Sequence, residues 1–236
     1  MLKVVMTCEH GGNQVPEKYQ PLFYGQDGLL QSHRGYDIGA LPLFTFLAEE
    51  VAHVSFYAEQ SRLVVDLNRS LHSPELFSEK TNFLSPAEKE ELLRELYFPY
   101  RSAVQSKIRQ LVGEGNRVLH LSVHTFTPVL NGEERQTEVG LLFDPERPGE
   151  KHFCEKWRTF LQQEDPELEV RMNNPYLGTA DGFTTSLRAV FRPEEYAGIE
   201  LEVNQKFFLS RNKSRSKALA LALRHSIRRL LSRAGR

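Results

Sequence analysis

The amino-acid sequence predicts an α/β fold, a single domain over residues 1–236 in which helices flank a mixed, mostly parallel sheet. Short apolar runs rich in β-branched residues alternate along the chain with longer segments whose apolar residues recur every three or four positions. That alternation is typical of a parallel sheet covered by helices. The length of 236 residues, with 40% hydrophobic and 26% charged residues, suits one large domain with a substantial core.

Seven apolar runs are predicted to be strands. The first run ends where His10 is followed by two glycines, which stop a strand. The fourth run alternates and then becomes continuously apolar, as a central strand does, and His124 is predicted to end it. The predicted strands are residues 2–8, 54–57, 63–67, 117–123, 138–143, 168–172 and 199–203.

The predicted helices lie between these strands. Ser85 can cap a helix, Pro86 suits its first position, and Glu88 closes a capping box. This helix should reach about residue 97, where Pro99 interrupts it before a second helix continues toward residue 112. Helical periodicity also marks residues 35–50, 150–163 and 217–231.

The composition excludes several classes of protein. The formal net charge of −1 gives no overall attraction to nucleic acid or membranes, so neither is an expected partner. No run approaches the roughly 20 apolar residues of a membrane helix, and the apolar start meets Glu9 and His10 too soon for a signal peptide. Cys8 and Cys154 are the only cysteines, which implies no disulfide framework and favours the reducing cytoplasm.

The segment from Arg62 to Arg69 concentrates planar hydrogen-bond donors. Two guanidiniums and the carboxamide of Asn68 lie within eight residues of one another, with Asp66 between them. A guanidinium binds both oxygens of a carboxylate at once, so the segment predicts a site for a carboxylate-bearing ligand. Alternatively, Asp66 forms only a structural ion pair with one of the two arginines.

Polar residues at the ends of predicted strands form a second pattern. In open α/β sheets, ligands bind beyond the carboxyl ends of the strands, where His10 and His124 are expected. Two neutral imidazoles with a carboxylate and an open position make a catalytic zinc site. Glu200 and Glu202 share one face of the last strand because side chains alternate with period two. The competing interpretation is that each histidine only forms hydrogen bonds within its own loop.

Taken in order, these pieces resemble the N-formylglutamate amidohydrolase family. The matching segments are CEHGGN at 8–13, VP at 15–16, HRGYDIG at 33–39, the Arg62 and Asn68-Arg69 positions, VHT at 123–125, PYLG and DG within 175–182, and IELEV at 199–203. The family is related to the zinc carboxypeptidases and to the aspartoacylase and succinylglutamate desuccinylase group. The resemblance implies a zinc-carboxypeptidase-like fold and a zinc-dependent hydrolase that cleaves an N-acyl amide of a small, carboxylate-bearing amino acid.

The resemblance also implies the metal ligands. His10 and His124 match the two histidine ligands of the related enzymes. Those enzymes carry a glutamate three residues after the first histidine, but here that position is Asn13, and a carboxamide is a poor zinc ligand. Asp37 is therefore the expected third ligand, with Asn13 and Glu200 as alternatives.

Catalytic and substrate-binding roles follow from the same resemblance. Arg62 matches the arginine that polarises the scissile carbonyl, and Glu202 matches the general base. Asn68 and Arg69 match the pair that holds the substrate carboxylate. Asp66 is then expected to orient the arginines rather than to touch the substrate.

Tyr176 and Asp181, in the loop over residues 173–182, are expected to close over the substrate. Turn formation alone is the competing explanation, because the loop is rich in asparagine, proline and glycine.

Four other functions compete with this prediction. Cys8 beside His10 could make a thiol hydrolase, although the adjacent Glu9 opposes a reactive thiolate. The basic segment 211–236 could make a binding module for nucleic acid or an acidic partner, although its leucines predict a helix with one buried face. Another metallo-amidase or carboxypeptidase-like peptidase, and a non-catalytic ligand-binding member of the family, are the remaining alternatives.

Overall fold

The computed structural model describes residues 1–210 and 213–234. Its strands are β1 (Leu2–Cys8), β2 (Val54–Tyr57), β3 (Arg117–Phe126), β4 (Val129–Leu130), β5 (Glu133–Glu134), β6 (Val139–Leu142), β7 (Val170–Met172) and β8 (Tyr196–Asn204). Its α-helices are α1 (Asp27–Leu30), α2 (Ala40–Val51), α3 (Pro86–Leu92), α4 (Phe98–Gly113), α5 (Pro148–Glu164), α6 (Phe183–Arg188), α7 (Lys206–Leu209) and α8 (Lys213–Ala234). A 3-10 helix covers Glu17–Phe23.

The main sheet has the strand order β2-β1-β3-β8-β6-β7. Strands β2, β1, β3 and β8 run parallel, whereas β6 pairs antiparallel with β8 and parallel with β7. The predicted mixed, mostly parallel sheet is therefore confirmed. Because β1, β3 and β8 are parallel neighbours, their carboxyl ends lie at one edge of the sheet, and the register places His124 opposite Glu202.

Helices cover both faces of the sheet. On one face, α2, α5 and α8 pack against alternate residues of the central strands in the largest hydrophobic cluster, which includes Met6, Leu121, Leu201 and Trp157. On the other face, α4 and α6 pack against Val5 and its neighbours. Burial on both faces explains why the strand sequences are almost continuously apolar.

Residues 63–67, predicted as a strand, form turns instead. Their apolar side chains are buried against Tyr19 and Tyr97 in a cluster separate from the sheet. Their backbone bonds to scattered partners rather than to a ladder: Asp66 N donates to Leu76 O, and Ser78 Oγ donates to Leu63 O. An apolar, β-branched run indicates that its side chains are buried. Side chains can be buried in a packed turn as well as in a strand, so the run alone does not distinguish the two.

Helix α2 begins at Ala40, five residues later than predicted. Gly35 and Gly39 lie in turns before it, and Gly39 takes the left-handed φ of +88°. A Cβ on Gly35 would lie 2.1 Å from Leu30 O, so the chain there must approach another backbone closely. Asp37 N donates to His10 O at 3.0 Å, which fixes this turn beside the end of β1.

The predicted capping box of Ser85 and Glu88 is present, but Pro99 does not break the helix it begins. The chain passes from α3 through a π-helical turn, Leu93–Tyr97, directly into α4, and Pro99 lies in the first turn of α4. A proline lacks an amide proton, so Pro99 contributes no helical hydrogen bond of its own. The chain nevertheless stays helical on both sides of it, with the π turn just before it.

The remaining predicted elements are present, with ends that differ by up to four residues. Strand β3 continues to Phe126, so His124 lies within the strand rather than at its end. The helices α1, α6 and α7 and the β4–β5 hairpin were not predicted. The hairpin turns at Asn131 and Gly132, whose φ angles of 53° and 84° suit its tight turn.

Helix α8 carries the basic residues of the C-terminal segment. Arg224 and Arg228 bind Glu50, and Arg229 donates to Gln163 Oε1. These contacts favour the interpretation of α8 as a packed surface helix, whereas Arg211 and Arg236 lie outside the described residues. Within the part of the chain that the structure describes, no helix is both long and apolar enough to cross a membrane.

Candidate active site

A cleft of about 170 Å³ opens at the carboxyl ends of β1, β3 and β8. All nine predicted site residues line it, together with Thr125, Leu177, Ala180 and Glu200. The nine come from distant parts of the sequence. The strand-end argument placed His10, Asn68, Arg69, His124 and Glu202 near one rim of the sheet, and the resemblance added the other four.

Three side chains converge at the floor of the cleft in an arrangement that can hold a metal ion. One ligand atom each from His10, Asp37 and His124 lies within 4.8 Å of the other two. His124 Nδ1 is 2.9 Å and His10 Nδ1 is 3.5 Å from Asp37 Oδ2. All three side chains are almost fully buried.

The outward-facing nitrogens of both histidines are held by carboxylates. His10 Nε2 lies 2.7 Å from Asp66 Oδ1, and His124 Nε2 lies 3.2 Å from Glu9 Oε2 and 2.8 Å from Ser122 Oγ. A proton on each Nε2 satisfies these acceptors and leaves the Nδ1 lone pairs facing each other and Asp37. His10 Nδ1 is buried without any hydrogen-bond partner in the structure, so the residues fit a metal ion.

Without a cation, these groups share protons. Burial opposes a charge on His124, but hydrogen bonds to Asp37 and Glu9 raise its pKa well above the ordinary value. The pKa values of Asp37 and Glu9 are lowered: burial acts to raise them, and the histidines beside them outweigh it. The site is therefore built for positive charge between carboxylates.

Of the three candidates for the third ligand, only Asp37 has a carboxylate oxygen close to a nitrogen of both histidines. Asn13 Nδ2 donates to Leu30 O at 3.2 Å and does not line the cleft. Glu200 lines the cleft, but its Oε1 accepts from Thr184 Oγ1 at 2.7 Å. Asp37 Oδ2 also accepts from Thr125 N at 3.3 Å, which orients the carboxylate toward both histidines.

Asp66 links His10, one of the three candidate metal ligands, to Arg62. Its Oδ2 accepts from Arg62 Nε at 3.1 Å and from Arg62 Nη2 at 2.7 Å, and its Oδ1 contacts His10. Arg62 Nη1 remains 3.5 Å from Asp37 Oδ1, at the edge of the cleft. Asp66 thus orients Arg62 as expected, but it reaches Arg69 only through the backbone bond from Arg69 N.

Glu202 is buried at the wall of the cleft with its Oε2 unpartnered. Burial raises its pKa from 4.5 to about 8; His124 acts in the opposite direction, and Asp37 and Glu200 add to the increase. Gly140 lies opposite Glu202 in the register, and a Cβ there would come within 2.3 Å of Asn174 O. A buried carboxyl with a pKa near neutrality and no partner is suited to proton transfer.

Asn68 and Arg69 each keep one hydrogen-bond donor unused. Asn68 Oδ1 accepts from Phe183 N at 2.7 Å, while no described residue accepts from its Nδ2. Arg69 Nη1 donates to Asp181 O at 2.7 Å and Nη2 lies 2.8 Å from Glu75 Oε2, but its Nε is buried and unpartnered. These two donors have no acceptor among the described residues, and both residues line the cleft.

The loop over residues 173–182 is anchored at several points. Asn173 Oδ1 accepts from the backbone amides of Phe143 and Gly178. The Asp181 carboxylate accepts from Ser70 N at 3.2 Å, so it is engaged in holding the loop to the Arg69 segment. Its contact with substrate stays a prediction, whereas the hydroxyl of Tyr176 accepts from Arg135 at 3.0 Å at the cleft.

Cys8 lacks the properties of a nucleophile. Its side chain is fully buried, and burial together with Glu9 raises its pKa well above the ordinary value. A thiolate is the reactive form, so these conditions oppose the thiol-hydrolase alternative.

Sequence reasoning missed several residues that support the site. Ser122 lies two positions before His124 in β3, and period-two alternation would have placed both on one face. Tyr100, which donates to Glu9 Oε1 at 3.1 Å, and Arg135 reach the site from α4 and from the segment after the hairpin. No local pattern marked these two residues, because their role depends on contacts distant in sequence.

Comparison with known proteins gives one family and a shared fold. The sequence model of the family N-formylglutamate amidohydrolase matches residues 2–209. A crystal structure of a gene product from Agrobacterium tumefaciens has a TM-score of 0.83 at 29% identity, over 99% of this chain and 92% of that chain. An N-formylglutamate amidohydrolase from Ralstonia eutropha JMP134 shares the fold, with a TM-score of 0.66 at 17% identity over 95% and 93% of the two chains. A search of curated proteins gives no match.

Proposed function

The chain belongs to the N-formylglutamate amidohydrolase family, and we propose that it is a zinc-dependent enzyme that removes a formyl or similarly small N-acyl group from an acidic amino acid or a comparable carboxylate-bearing amine. Membership makes the protein a hydrolase that acts on amides. The metal, the acyl group and the roles of individual residues are the proposal.

One observation carries the proposal: the Nδ1 atoms of His10 and His124 meet an oxygen of Asp37, while Asp66 and Glu9 hold the opposite nitrogens. Three nitrogen and oxygen ligands with a position left open are typical of catalytic zinc. Carboxylates on the far side of ligating histidines fix the ring orientation and increase the basicity of the ligand. His10, Asp37 and His124 would therefore hold the zinc.

The protein's own groups supply the proton transfer. Zinc bound at these residues would contribute Lewis acidity, which lowers the pKa of water and polarises a carbonyl. Glu202 takes a proton from the attacking water at its unpartnered Oε2 and delivers it to the leaving nitrogen. The carbon–nitrogen bond breaks, the acyl carbon gains the hydroxyl of water, and the nitrogen leaves as an amine.

Arginine and asparagine side chains orient the substrate and stabilise charge. Arg62, with two nitrogens fixed on Asp66, presents a pre-positioned cation to the carbonyl oxygen as negative charge develops there. Arg69 Nε and Asn68 Nδ2 bind the substrate carboxylate. Holding the carboxylate and the carbonyl at separate points brings the amide to the base in a fixed orientation.

The size of the cleft favours a small substrate over a peptide. Its volume of about 170 Å³ is below the roughly 300 Å³ at which drug-sized pockets begin. An N-acyl amino acid suits this space better than an extended chain, which argues against the peptidase alternative.

We place the enzyme in the cytoplasm. Cys8 and Cys154 are buried and unpaired, which suits a reducing compartment.

The test combines metal analysis with a substrate screen. Purified protein would be examined for bound metal by elemental analysis and assayed with zinc against N-formyl, N-acetyl and N-succinyl derivatives of glutamate, aspartate, glutamine and leucine. We expect one zinc per chain and release of the free acidic amino acid. The matched variant Glu202→Gln keeps the size of the side chain and should bind zinc but lose activity. Bound zinc without turnover of any derivative would instead indicate a non-catalytic member.

A further inference from the structure

Arg135 lies beside the cleft, in contact with the lining residue Tyr176, and has no acidic partner among the described residues. It follows β5, and its Nη1 donates to the Tyr176 hydroxyl at 3.0 Å. The guanidinium lies over the Tyr176 ring, 5.0 Å from the centroid, and 5.6 Å from the centroid of Phe126. Tyr176 lines the cleft, so Arg135 contacts the lining of the cleft through this residue.

The two arginines that line the cleft are already paired with carboxylates. Arg62 binds Asp66, and Arg69 binds Glu75. The positive charge of Arg135 is therefore not neutralised by a neighbouring side chain. An uncompensated cation beside a cleft attracts an anionic ligand more strongly than a paired one does.

Arg135 also lies near enough to His33 to affect its pKa. Burial lowers the pKa of His33, and the positive charges of Arg34, Arg62 and Arg135 lower it further. Arg62 and Arg135 therefore act on the same imidazole from two segments of the chain.

The guanidinium is also held in place before any ligand arrives. Arg135 N donates to Pro128 O at 2.8 Å, and Arg135 O accepts from Asn204 Nδ2 at 3.4 Å. The two aromatic rings restrict the side chain, so little rotamer freedom remains to be lost on binding.

We propose that Arg135, positioned by Tyr176, is a specificity-determining residue that binds a second carboxylate of the substrate. This inference rests on the proposed function, in which Asn68 and Arg69 hold the α-carboxylate. Arg135 then holds the carboxylate of an acidic side chain, with the planar guanidinium donating to both oxygens. The site selects acidic over neutral amino acids by this contact.

A purely structural role for Arg135, as a support for the hairpin, makes a different prediction. Loss of a support would shift the loop of Tyr176 and weaken the binding of all substrates alike. Loss of a carboxylate-binding group weakens the binding only of substrates that carry the second carboxylate. The comparison of an acidic substrate with its neutral amide therefore separates the two roles.

The experiment uses zinc-loaded protein and the isosteric pair N-formyl-L-glutamate and N-formyl-L-glutamine. Arg135→Gln should raise KM for the glutamate derivative roughly 10- to 100-fold, the range for hydrogen bonds to a charged group, and leave the glutamine derivative within about twofold. Arg135→Lys should restore part of the difference because it keeps the charge. Arg192→Gln, which removes an exposed arginine paired with Glu195, is the matched control and should leave KM unchanged for both derivatives.

Binding of the same pair to Glu202→Gln protein, measured by calorimetry, separates this inference from the catalytic proposal. If adding Arg135→Gln to the Glu202→Gln protein weakens the binding of the glutamate derivative only, the inference holds. It holds even if the unmodified enzyme cleaves no amide. Equal changes for both compounds, or no change for either, overturn it while leaving the hydrolase proposal intact. Failure of the zinc-loaded protein to bind the glutamate derivative at all overturns the inference as well.

Discussion

Replacing Glu202 with glutamine should stabilise the metal-free protein at alkaline pH and leave its stability nearly unchanged at pH 5. The pKa of Glu202 rises from 4.5 to about 8 on folding, chiefly because the carboxyl is buried. A carboxyl with a raised pKa binds more protons in the folded state than in the unfolded state. The free energy of unfolding therefore falls as the pH rises from about 4.5 to about 8.

The magnitude follows from the change in proton affinity. Each tenfold change in that affinity corresponds to about 1.4 kcal/mol, so the full shift at Glu202 is worth on the order of 5 kcal/mol above pH 8. Typical domains are stable by only about 5–15 kcal/mol, so this is a large fraction of the total. Glutamine has nearly the same shape and no charge to bury, and it should recover most of this free energy.

The assay is urea unfolding of the metal-free proteins between pH 5 and pH 9. Other groups also make stability depend on pH. Those distant from Glu202 cancel in the difference between the two proteins, whereas His124 and Asp37 interact with Glu202, so the difference reports the combined effect of removing its charge. Glu49→Gln, at an exposed position, controls for the loss of one negative charge. A stability difference between Glu202→Gln and the unmodified protein that does not grow with pH would refute the assignment of a proton-retaining Glu202.

Four further outcomes test the site. Asp37→Asn should reduce bound zinc from one equivalent to near none by elemental analysis, because a carboxamide is a poor ligand; full occupancy would remove Asp37 from the ligand set. Glu9→Gln should weaken zinc affinity about 10- to 100-fold in a chelator competition, since Glu9 fixes the ring of His124, and an unchanged affinity would contradict that role. Arg69→Ala should raise KM strongly for carboxylate-bearing substrates and little for neutral ones, so equal effects would exclude a carboxylate clamp. Gly178→Ala would place a methyl 2.1 Å from a backbone amide and should lower the free energy of unfolding by about 1–3 kcal/mol in urea, whereas an unchanged midpoint would show that the loop can move aside.

The part of the candidate site that lies on the strands was predictable because it follows from sheet geometry. Parallel strands end at a common edge, so the positions of His10 and His124 at the ends of two apolar runs were enough to predict that they lie together. Period-two alternation placed Glu200 and Glu202 on one face, and both line the cleft. The structure adds the hydrogen bond from Thr184, which occupies Glu200 and leaves Glu202 as the carboxyl with an unpartnered oxygen.

Other features were not predictable because they depend on contacts between distant segments. Asp66 touches His10 across 56 positions of sequence, and that contact decides which nitrogen of His10 faces Asp37 and His124. The apolar run at 63–67 indicated burial correctly but not the turn conformation, since its backbone partners come from residues 61, 76 and 78. The start of α2 depends on the close approach at Gly35, which local periodicity does not reveal.

The pairing of His124 with Glu202 in adjacent central strands has an evolutionary consequence. His124 and Glu202, to which the proposal gives metal-binding and proton-transfer roles, lie on β3 and β8, whereas Arg135 and Tyr176 are carried by connecting segments outside the sheet. Segments of this kind tolerate exchange far better than central strands do. Grafting residues 127–137 and 173–182 from a relative of different preference should therefore transfer substrate choice while the reaction itself is inherited unchanged. New substrate specificities can arise in this fold by replacement of the connecting segments while the central strands stay the same.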